Sequence, residues 1–402
     1  MSDAASEEVS AGRVGRGPVS FLLRRLLPRL DCGTLTVVLP NGRRFALKGA
    51  GEGPAGLVAL HRWRALRRLV QGGDIGFAEA YRDGDWSSPD LVALIEVVAR
   101  NQALIPGAES APGPSRLINR LRHLARNNSL AGSRRNIVEH YDLGNAFYRL
   151  WLDEGMSYSS ALFQSPGQSL EAAQTAKQDR VMAMLDARPG QSALEIGIGW
   201  GGVAERLARA GGRVTGLTLS PSQLRYAEAR LADAGLTADL RLQDYREIEG
   251  RFDRIVSIEM LEAVGEAWWP VYFAKLQALL GEDGIIVLQT ISIADERFEA
   301  YRRSVDFIQR HIFPGGMLPS PAALRAEIDR AGLVVETVET FGDSYARTLE
   351  LWRERFEAAW PKIAALGFPP HFKRMWDYYL AYCEAGFRSG AVDVGLWRLR
   401  RK

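Results

Sequence analysis

Cysteine and histidine are both scarce in this chain of 402 residues, and long apolar runs are missing from it. The two cysteines, Cys32 and Cys383, cannot build a disulfide framework and suit a reducing cytoplasm. The five histidines are scattered without H-x-x-x-H spacing, and no C-x-x-C occurs, which argues against a built-in metal site. No stretch of 18 or more residues is continuously apolar, so no helix is expected to span a bilayer. The opening segment, MSDAASEEVSAGRVGRGP, carries acids and lacks an apolar core, so it is not expected to act as a secretory signal. What remains is an ordinary globular composition, 47% hydrophobic and 25% charged, in a chain long enough for two cores.

The net charge of +3 is unevenly placed. Residues 1–136 hold 20 Lys+Arg against 12 Asp+Glu, a balance of +8 that leaves −5 for the rest. Within the basic part, FLLRRLLPRL (21–30) and HRWRALRRLV (61–70) interleave arginines with leucines at helical spacing. Such faces suit anionic lipid headgroups or nucleic acid, or are simply solvated. Residues 1–17 read as a disordered tail. Residues 18–103 read as a small α+β domain, in which TLTVVLPNGRRFALKG forms two strands joined by a Pro-Asn-Gly turn. LIPGAESAPGPSR (104–116) reads as a linker, and 117–402 as a second domain.

From residue 190 the pattern alternates strand and helix. SALEIGI, GRVTGLTLS, LTADLRLQD, FDRIVSIEM and GIIVLQTIS are five apolar strands, predicting a parallel sheet with helices on both faces. Ligands of such sheets bind beyond the carboxyl ends of the strands, where SALEIGIGWGG (192–202) places a glycine-rich turn. These glycines satisfy two frames. Gly197, Gly199 and Gly202 fit the dinucleotide pattern G-x-G-x-x-G, which leaves an oxidoreductase open. Glu195, Gly197, Gly199 and Gly201 fit acid-x-G-x-G-x-G, the first motif of class I S-adenosylmethionine methyltransferases. A dinucleotide site wants an acid at the end of the second strand, but that strand ends in Thr218, Leu219 and Ser220. The third strand ends in LQDYR, whose Asp244 and Tyr245 form an acid-aromatic pair suited to adenine.

Three further segments, HYDLGNAFYRLWLDEGMSYSSALF, GLTLSPSQLRYA and RIVSIEMLEAVG, together resemble the cyclopropane fatty acid synthase family, including the mycolic acid cyclopropane synthases. HIFPGGMLPS, FGDSYARTLELWRERFEAAWP and FKRMWDYYLAYCEAGFR extend the resemblance over residues 136 to 390. It implies a Rossmann-like class I methyltransferase fold with a lipid-binding N-terminal domain, and methyl transfer from S-adenosylmethionine to the cis double bond of a phospholipid acyl chain. Carried over by position, it implies that Tyr158 and Ser159 close over the cofactor, that Gly197, Gly199 and Trp200 form its loop, that Thr218 and Gln223 hold its ribose beside Ser220, and that Tyr245 and Ile258 flank its adenine. It further implies a bicarbonate ion as base, caged by Ser160, Glu262, Gln289, Ile291 and Tyr345. Glu259 is assigned no role and fits an ordinary surface acid. Trp268, Trp269, Tyr272 and Phe273 read mostly as core, Cys383 as packing, and His140 as either an orienting or a structural residue.

The chain departs from the family where Ser160 stands for cysteine, Gln289 for the histidine beside the ion, and Ala263 for a histidine. Glutamine keeps a donor and an acceptor but cannot be protonated, so ring closure is in question while methyl transfer is not. Cyclopropane, exomethylene and methyl-branched olefinic chains all descend from one cation. A non-catalytic lipid binder is the competing class. The expected partners are unsaturated phospholipid and an anionic membrane surface, met peripherally from the cytoplasmic side. Nucleic acid is not expected, and a homodimer is left open.

Overall fold

The computed structural model describes residues 30–101 and 143–402. The expected tail, the 104–116 linker, most of the 21–30 arginine run and His140 lie outside the described residues. The described chain divides into two compact units, one holding residues 30–101 with Pro369–Ala391 and the other holding 143–368 with Val392–Lys402.

The first unit is built on a four-stranded sheet of order β2-β1-β3-β4. In β1 (Cys32–Val38) alternate residues face inward, with Leu35 and Val37 buried, as a half-covered strand requires. β1 pairs antiparallel with β2 (Arg44–Lys48) through the Pro-Asn-Gly turn, where Gly42 takes a φ of 82°. β3 (Gly51–Leu60), parallel to β1, carries Gly51, Gly53, Pro54 and Gly56, residues that mask a strand in the sequence. Gly56 is required here by close packing, because a Cβ would stand 2.8 Å from Leu94 Cα. α1 (Arg64–Arg82) kinks at Gly73, and β4 (Trp86–Ser87) pairs with β3. α2 (Leu91–Arg100) starts at Asp90, whose side chain accepts from Ala93 N at 2.9 Å.

The helix Pro370–Arg388 packs in this first unit, where Ala381 and Ala385 join Val92 in one cluster. Its Arg374 donates to the carbonyls of Tyr81 (2.6 Å) and Trp86 (2.9 Å). The expected continuous domain 117–402 is therefore interrupted, because this late helix finds its partners some 290 residues upstream. Two of the arginines in the 61–70 run are paired with acids. Arg64 forks onto the buried Asp85 at 2.7 and 2.8 Å, and Arg68 pairs with Asp83 at 2.7 Å. Trp63, Arg67 and Val70 remain exposed, at positions that share one helical face.

The second unit is a seven-stranded sheet of order β10-β11-β9-β8-β5-β6-β7. β5 (Ser192–Ile196), β6 (Arg213–Thr218), β7 (Asp239–Leu242), β8 (Phe252–Ile258) and β9 (Leu280–Ile293) are parallel, as the sequence predicts. β10 (Leu333–Thr340) and β11 (Val392–Arg401) add an antiparallel edge that was not anticipated. The helices around this sheet are α3 (Leu170–Leu185), α4 (Gly202–Arg209), α5 (Pro221–Asp233), α6 (Trp269–Leu279), α7 (Pro321–Arg330) and α8 (Gly342–Ala365). Neighbouring strand residues feed opposite faces. Leu194, Ile255, Ile286 and Leu288 meet Trp269, Tyr272 and Phe273 of α6, which are core residues as expected. Ala193, Val256 and Val287 meet Val181, Met184 and Leu185 of α3 on the other face.

The strand order reverses direction between β5 and β8, and the carboxyl ends at such a switch point are where sheets of this kind have their binding crevice. Gly197, Gly199 and Gly201 line that turn with φ of 85°, 52° and 85°, a region that costs other residues about 1 kcal/mol or more. Gly201 also lets α5 approach, since a Cβ there would lie 2.9 Å from Ala227 Cβ. Among the described residues, no helix is long and apolar enough to cross a membrane. Gly201→Ala should therefore destabilise the second unit by about 1–3 kcal/mol through strain and overpacking. Urea denaturation followed by tryptophan fluorescence checks this, and an unchanged midpoint would refute the packing role.

Candidate active site

Residues expected at the cofactor fall around the crevice, though not all with free side chains. Gly199 faces open space, with nothing within 4 Å of a Cβ built on it. Gly197 stands closer to Met260, whose Cγ lies 3.1 Å from such a Cβ. Trp200 is buried and donates from Nε1 to Asn145 Oδ1 at 2.8 Å. Thr218 and Gln223, at the end of β6 and the start of α5, are hydrogen-bonded to each other at 3.0 Å. Ser220 caps α5 by accepting from Gln223 N, so its hydroxyl is structural. Glu195 is buried on β5 with Oε2 unpartnered, and burial pushes its carboxyl up to about 8. Asp244 is gripped by Arg246 at 2.8 and 2.7 Å, and the Tyr245 ring packs edge-on against Tyr272 in the core. The expected adenine pair is thus tied up in a salt bridge and in packing. Ile258 closes β8, half-buried beside the α3 core.

Tyr158 and Ser159 belong to a second cluster. The Tyr158 ring stands 5.3 Å from Tyr148, 5.6 Å from Trp151 and 5.4 Å from Trp352. Ser159 Oγ accepts from the buried Lys177 at 2.7 Å, and Gln174 Nε2 donates to its carbonyl at 2.8 Å.

At the heart of this cluster is Glu259, the residue expected to be a surface acid. That expectation is wrong. Glu259 follows β8 with φ 48°, a left-handed backbone that a non-glycine residue adopts at a cost of about 1–2 kcal/mol. Its N–H donates to the Gln289 carbonyl at 2.8 Å. Its carboxylate accepts from three donors: Gln289 Nε2 at 2.7 Å and Ser160 N at 2.8 Å on Oε1, and Tyr345 OH at 2.6 Å on Oε2. Burial raises the carboxyl above its ordinary range, against the pull of Tyr345, Ser160, Lys177 and Gln289.

Glu262, one turn later, stands apart from these donors. Its Oε1 accepts from Thr290 Oγ1 at 3.0 Å and from Ile291 N, while Oε2 is buried without a partner. Burial first, and the charge of Glu259 second, push Glu262 up to about 8. The five residues expected to cage bicarbonate are thus divided. Ser160, Gln289 and Tyr345 close on Glu259, and Ile291 closes on Glu262. A carboxylate presents the same planar pair of oxygens as bicarbonate, and here it already holds the donors. The residues therefore do not fit the free ion. Sequence reading also missed Lys177, Gln174 and Thr290. The available signal was the pair of acids in EMLE, of which only the second was taken. No group of three or more His, Cys, Asp or Glu suited to a metal occurs among the described residues.

The two glycines separate folding from binding. Gly199→Val should abolish binding of the expected S-adenosylmethionine by filling the open space, with a loss of stability of about 1 kcal/mol from its positive φ. Calorimetric titration beside thermal melting tests this, and retained binding would remove Gly199 from the site.

Comparison with known proteins gives the same direction. The family model for mycolic acid cyclopropane synthetase matches residues 128–397. The chain is 39% identical, over 98% of its length and 95% of the relative's, to tuberculostearic acid methyltransferase UfaA1 of Mycobacterium tuberculosis. It is 38% identical to the cyclopropane-fatty-acyl-phospholipid synthase of Escherichia coli, over 83% of this chain and 84% of that one. Among solved structures, mycolic acid cyclopropane synthase CmaA1 complexed with SAH and CTAB aligns with a TM-score of 0.63 and 31% identity, over 67% of this chain and 98% of that chain. The crevice, the open face of Gly199 and the Thr218–Gln223 pair fit S-adenosylmethionine. The chain belongs to the mycolic acid cyclopropane synthetase family and is an S-adenosylmethionine-dependent methyltransferase that acts on lipid acyl chains.

Proposed function

We propose that the protein methylates the cis double bond of a phospholipid acyl chain through a carbocation, and that Glu259, not bicarbonate, takes the proton that ends the reaction. The carrying observation is the Glu259 carboxylate, half-buried and holding the hydrogen bonds of Ser160, Gln289 and Tyr345. S-adenosylmethionine supplies an electrophilic methyl group when bound. The π electrons of the double bond form the new carbon–carbon bond and leave the neighbouring chain carbon cationic. The rings of Tyr158 and Tyr345 both pack on Trp352 and supply π faces to the site, whose Tyr345, Trp352 and Ser160 are buried, so that little water can reach the cation. Loss of a proton to Glu259 from a chain carbon beside the cation gives the methyl-branched olefin; for the exomethylene chain a hydride first shifts from the methylated carbon to the cationic one, and a proton of the new methyl group then passes to Glu259.

The proposed product is uncyclised, an exomethylene or methyl-branched olefinic chain. Support comes from the tethering of the base: a side chain fixed at three points cannot follow the substrate as a free ion can. Gln289, unable to titrate, fits the same reading, as does the methyltransferase name carried by the relative that matches over nearly the whole chain.

Mass spectrometry and proton NMR of fatty acids from a host fed a trideuteromethyl donor test this product. Two retained deuteriums without cyclopropane resonances indicate exomethylene, three indicate a methyl-branched olefin, and a cyclopropane would overturn the proposal. Glu259→Gln should lower turnover by about 10²–10⁴-fold, with cofactor affinity held within a few-fold. Glu259→Gly should regain turnover when bicarbonate is added, since the three donors are then free to take it. A Glu259→Gln enzyme at the parental rate would remove Glu259 as the base.

The same proposal places the first unit at the anionic inner face of a membrane. Supporting it are the exposed Trp63, Arg67 and Val70 on one face of α1, an apolar and cationic combination suited to an interface. An arginine at such a surface contributes about 1 kcal/mol, so Arg67→Glu combined with Trp63→Ala should weaken sedimentation with phosphatidylglycerol vesicles at least several-fold. Binding should also fall as salt rises. Binding indifferent to both would refute the surface assignment.

A further inference from the structure

Lys177 is a buried charge that the proposed reaction leaves without a part. It lies on α3 with 1% of its surface exposed, a placement unfavourable for an ammonium unless acids compensate it. Its Nζ donates to Ser159 Oγ at 2.7 Å. Gln174, three residues earlier and on the same helical face, donates to the Ser159 carbonyl at 2.8 Å. Ser159 is thus held by side chain and backbone together, and the next N–H along the chain, that of Ser160, points at Glu259 Oε1 at 2.8 Å.

The charges around these groups are few. Lys177 is attracted by Glu259, which is half-buried, and by Asp153 and Glu195, which are buried. Glu259 is faced by Lys177 from α3, by Tyr345 from α8, by Gln289 from β9 and by the Ser160 N–H. Glu262, in the turn after β8, opposes it with like charge when ionised. Glu195 also feels Arg230 of α5, and Asp153 is held by Ser157 N at 2.8 Å.

We propose that Lys177 is a positioning residue that keeps Glu259 ionised and aimed, by fixing the buried Ser159–Ser160 segment and by supplying an opposite charge. The inference rests on the reading of Glu259 as the base. In the final step the electron pair of the broken C–H bond stays on the chain and forms the product double bond. The proton passes to a Glu259 oxygen, and Lys177 remains protonated throughout. Burial alone pushes both groups toward neutrality, the ammonium down and the carboxyl up, and each restrains the other. Without the ammonium, Glu259 should hold its proton to higher pH and be unavailable as a base at neutrality.

The test is the pH dependence of kcat for Lys177→Met and Lys177→Gln, assayed on palmitoyl-oleoyl phosphatidylglycerol vesicles. The rate of the parental enzyme should rise with pH through the Glu259 titration. In both variants this acid limb should move up by one pH unit or more, with kcat at neutral pH reduced at least tenfold and partly recovered in alkali. A loss by the same factor at every pH would mark a purely structural role and overturn the proposal. Should neither variant fold, difference infrared spectroscopy of the parental protein against Glu259→Gln decides. An ionised carboxylate band at neutral pH supports the proposal, and a protonated carboxyl band overturns it. If Glu259→Gln keeps the parental rate, the reading of the base fails. If it is inactive while the Lys177 variants keep the parental profile, only the role of Lys177 fails.

Discussion

One carboxylate, that of Glu259, draws together segments that are far apart in the chain. An ionised carboxyl deprived of water and partners would be prohibitively costly, so the fold must deliver donors to it from several directions. Ser160 comes from the loop before α3, Gln289 from β9 and Tyr345 from the first turn of α8. The parallel pairing of β8 with β9 sets Ile258 opposite Gln289, which puts the amide within reach of the next residue. The left-handed backbone at Glu259 then turns its side chain across the end of the sheet. Strain of that kind is tolerated where surrounding bonds over-determine it, and here both the N–H and the carboxylate of Glu259 bond to Gln289.

The neighbouring acid shows why one charge dominates. Two carboxylates three residues apart in a dry site do not both ionise readily. Glu262, pushed up to about 8 by burial and by Glu259, is mostly neutral at pH 7. Its role is then to hold the backbone of Ile291 and the hydroxyl of Thr290. Under the proposed mechanism Glu259, held by three donors and attracted by Lys177, is the acid that carries the negative potential facing the cation.

Much of this architecture was legible in the sequence, because apolar strands alternating with helices leave few alternatives once a glycine turn follows the first strand. The five parallel strands fall where SALEIGI to GIIVLQTIS place them. β10 and β11 escaped notice: LVVETVET is a half-exposed edge, and VDVGLWRLRR is rich in arginine, so neither reads as a buried run. The helix Pro370–Arg388 was assigned to the wrong unit because linear order says nothing about which core a distant segment completes. At the site, Ser160, Gln289 and Tyr345 were found by motif, but what they hold was not. A motif specifies donors, whereas the acceptor between them is a matter of three-dimensional placement. Glu259 looked ordinary because its local sequence gives no sign that its backbone turns left-handed.

Two of the departures from the family pattern, Ser160 and Gln289, then become one change. A histidine at position 289 could carry a proton, and beside a tethered carboxylate the two would form an ion pair that lowers the basicity of the acid. Glutamine donates one N–H without bringing a full charge, so that Glu259 in its proposed role as base keeps its strength while its orientation is still fixed. Ser160 likewise contributes through its backbone N–H, and its hydroxyl turns away to the Ala161 carbonyl at 2.9 Å, so a cysteine thiol is not needed at that place. Once the acceptor is built into the chain, the residues around it need only be neutral donors, and Ser160, Gln289 and Tyr345 each donate to it without carrying a charge of their own.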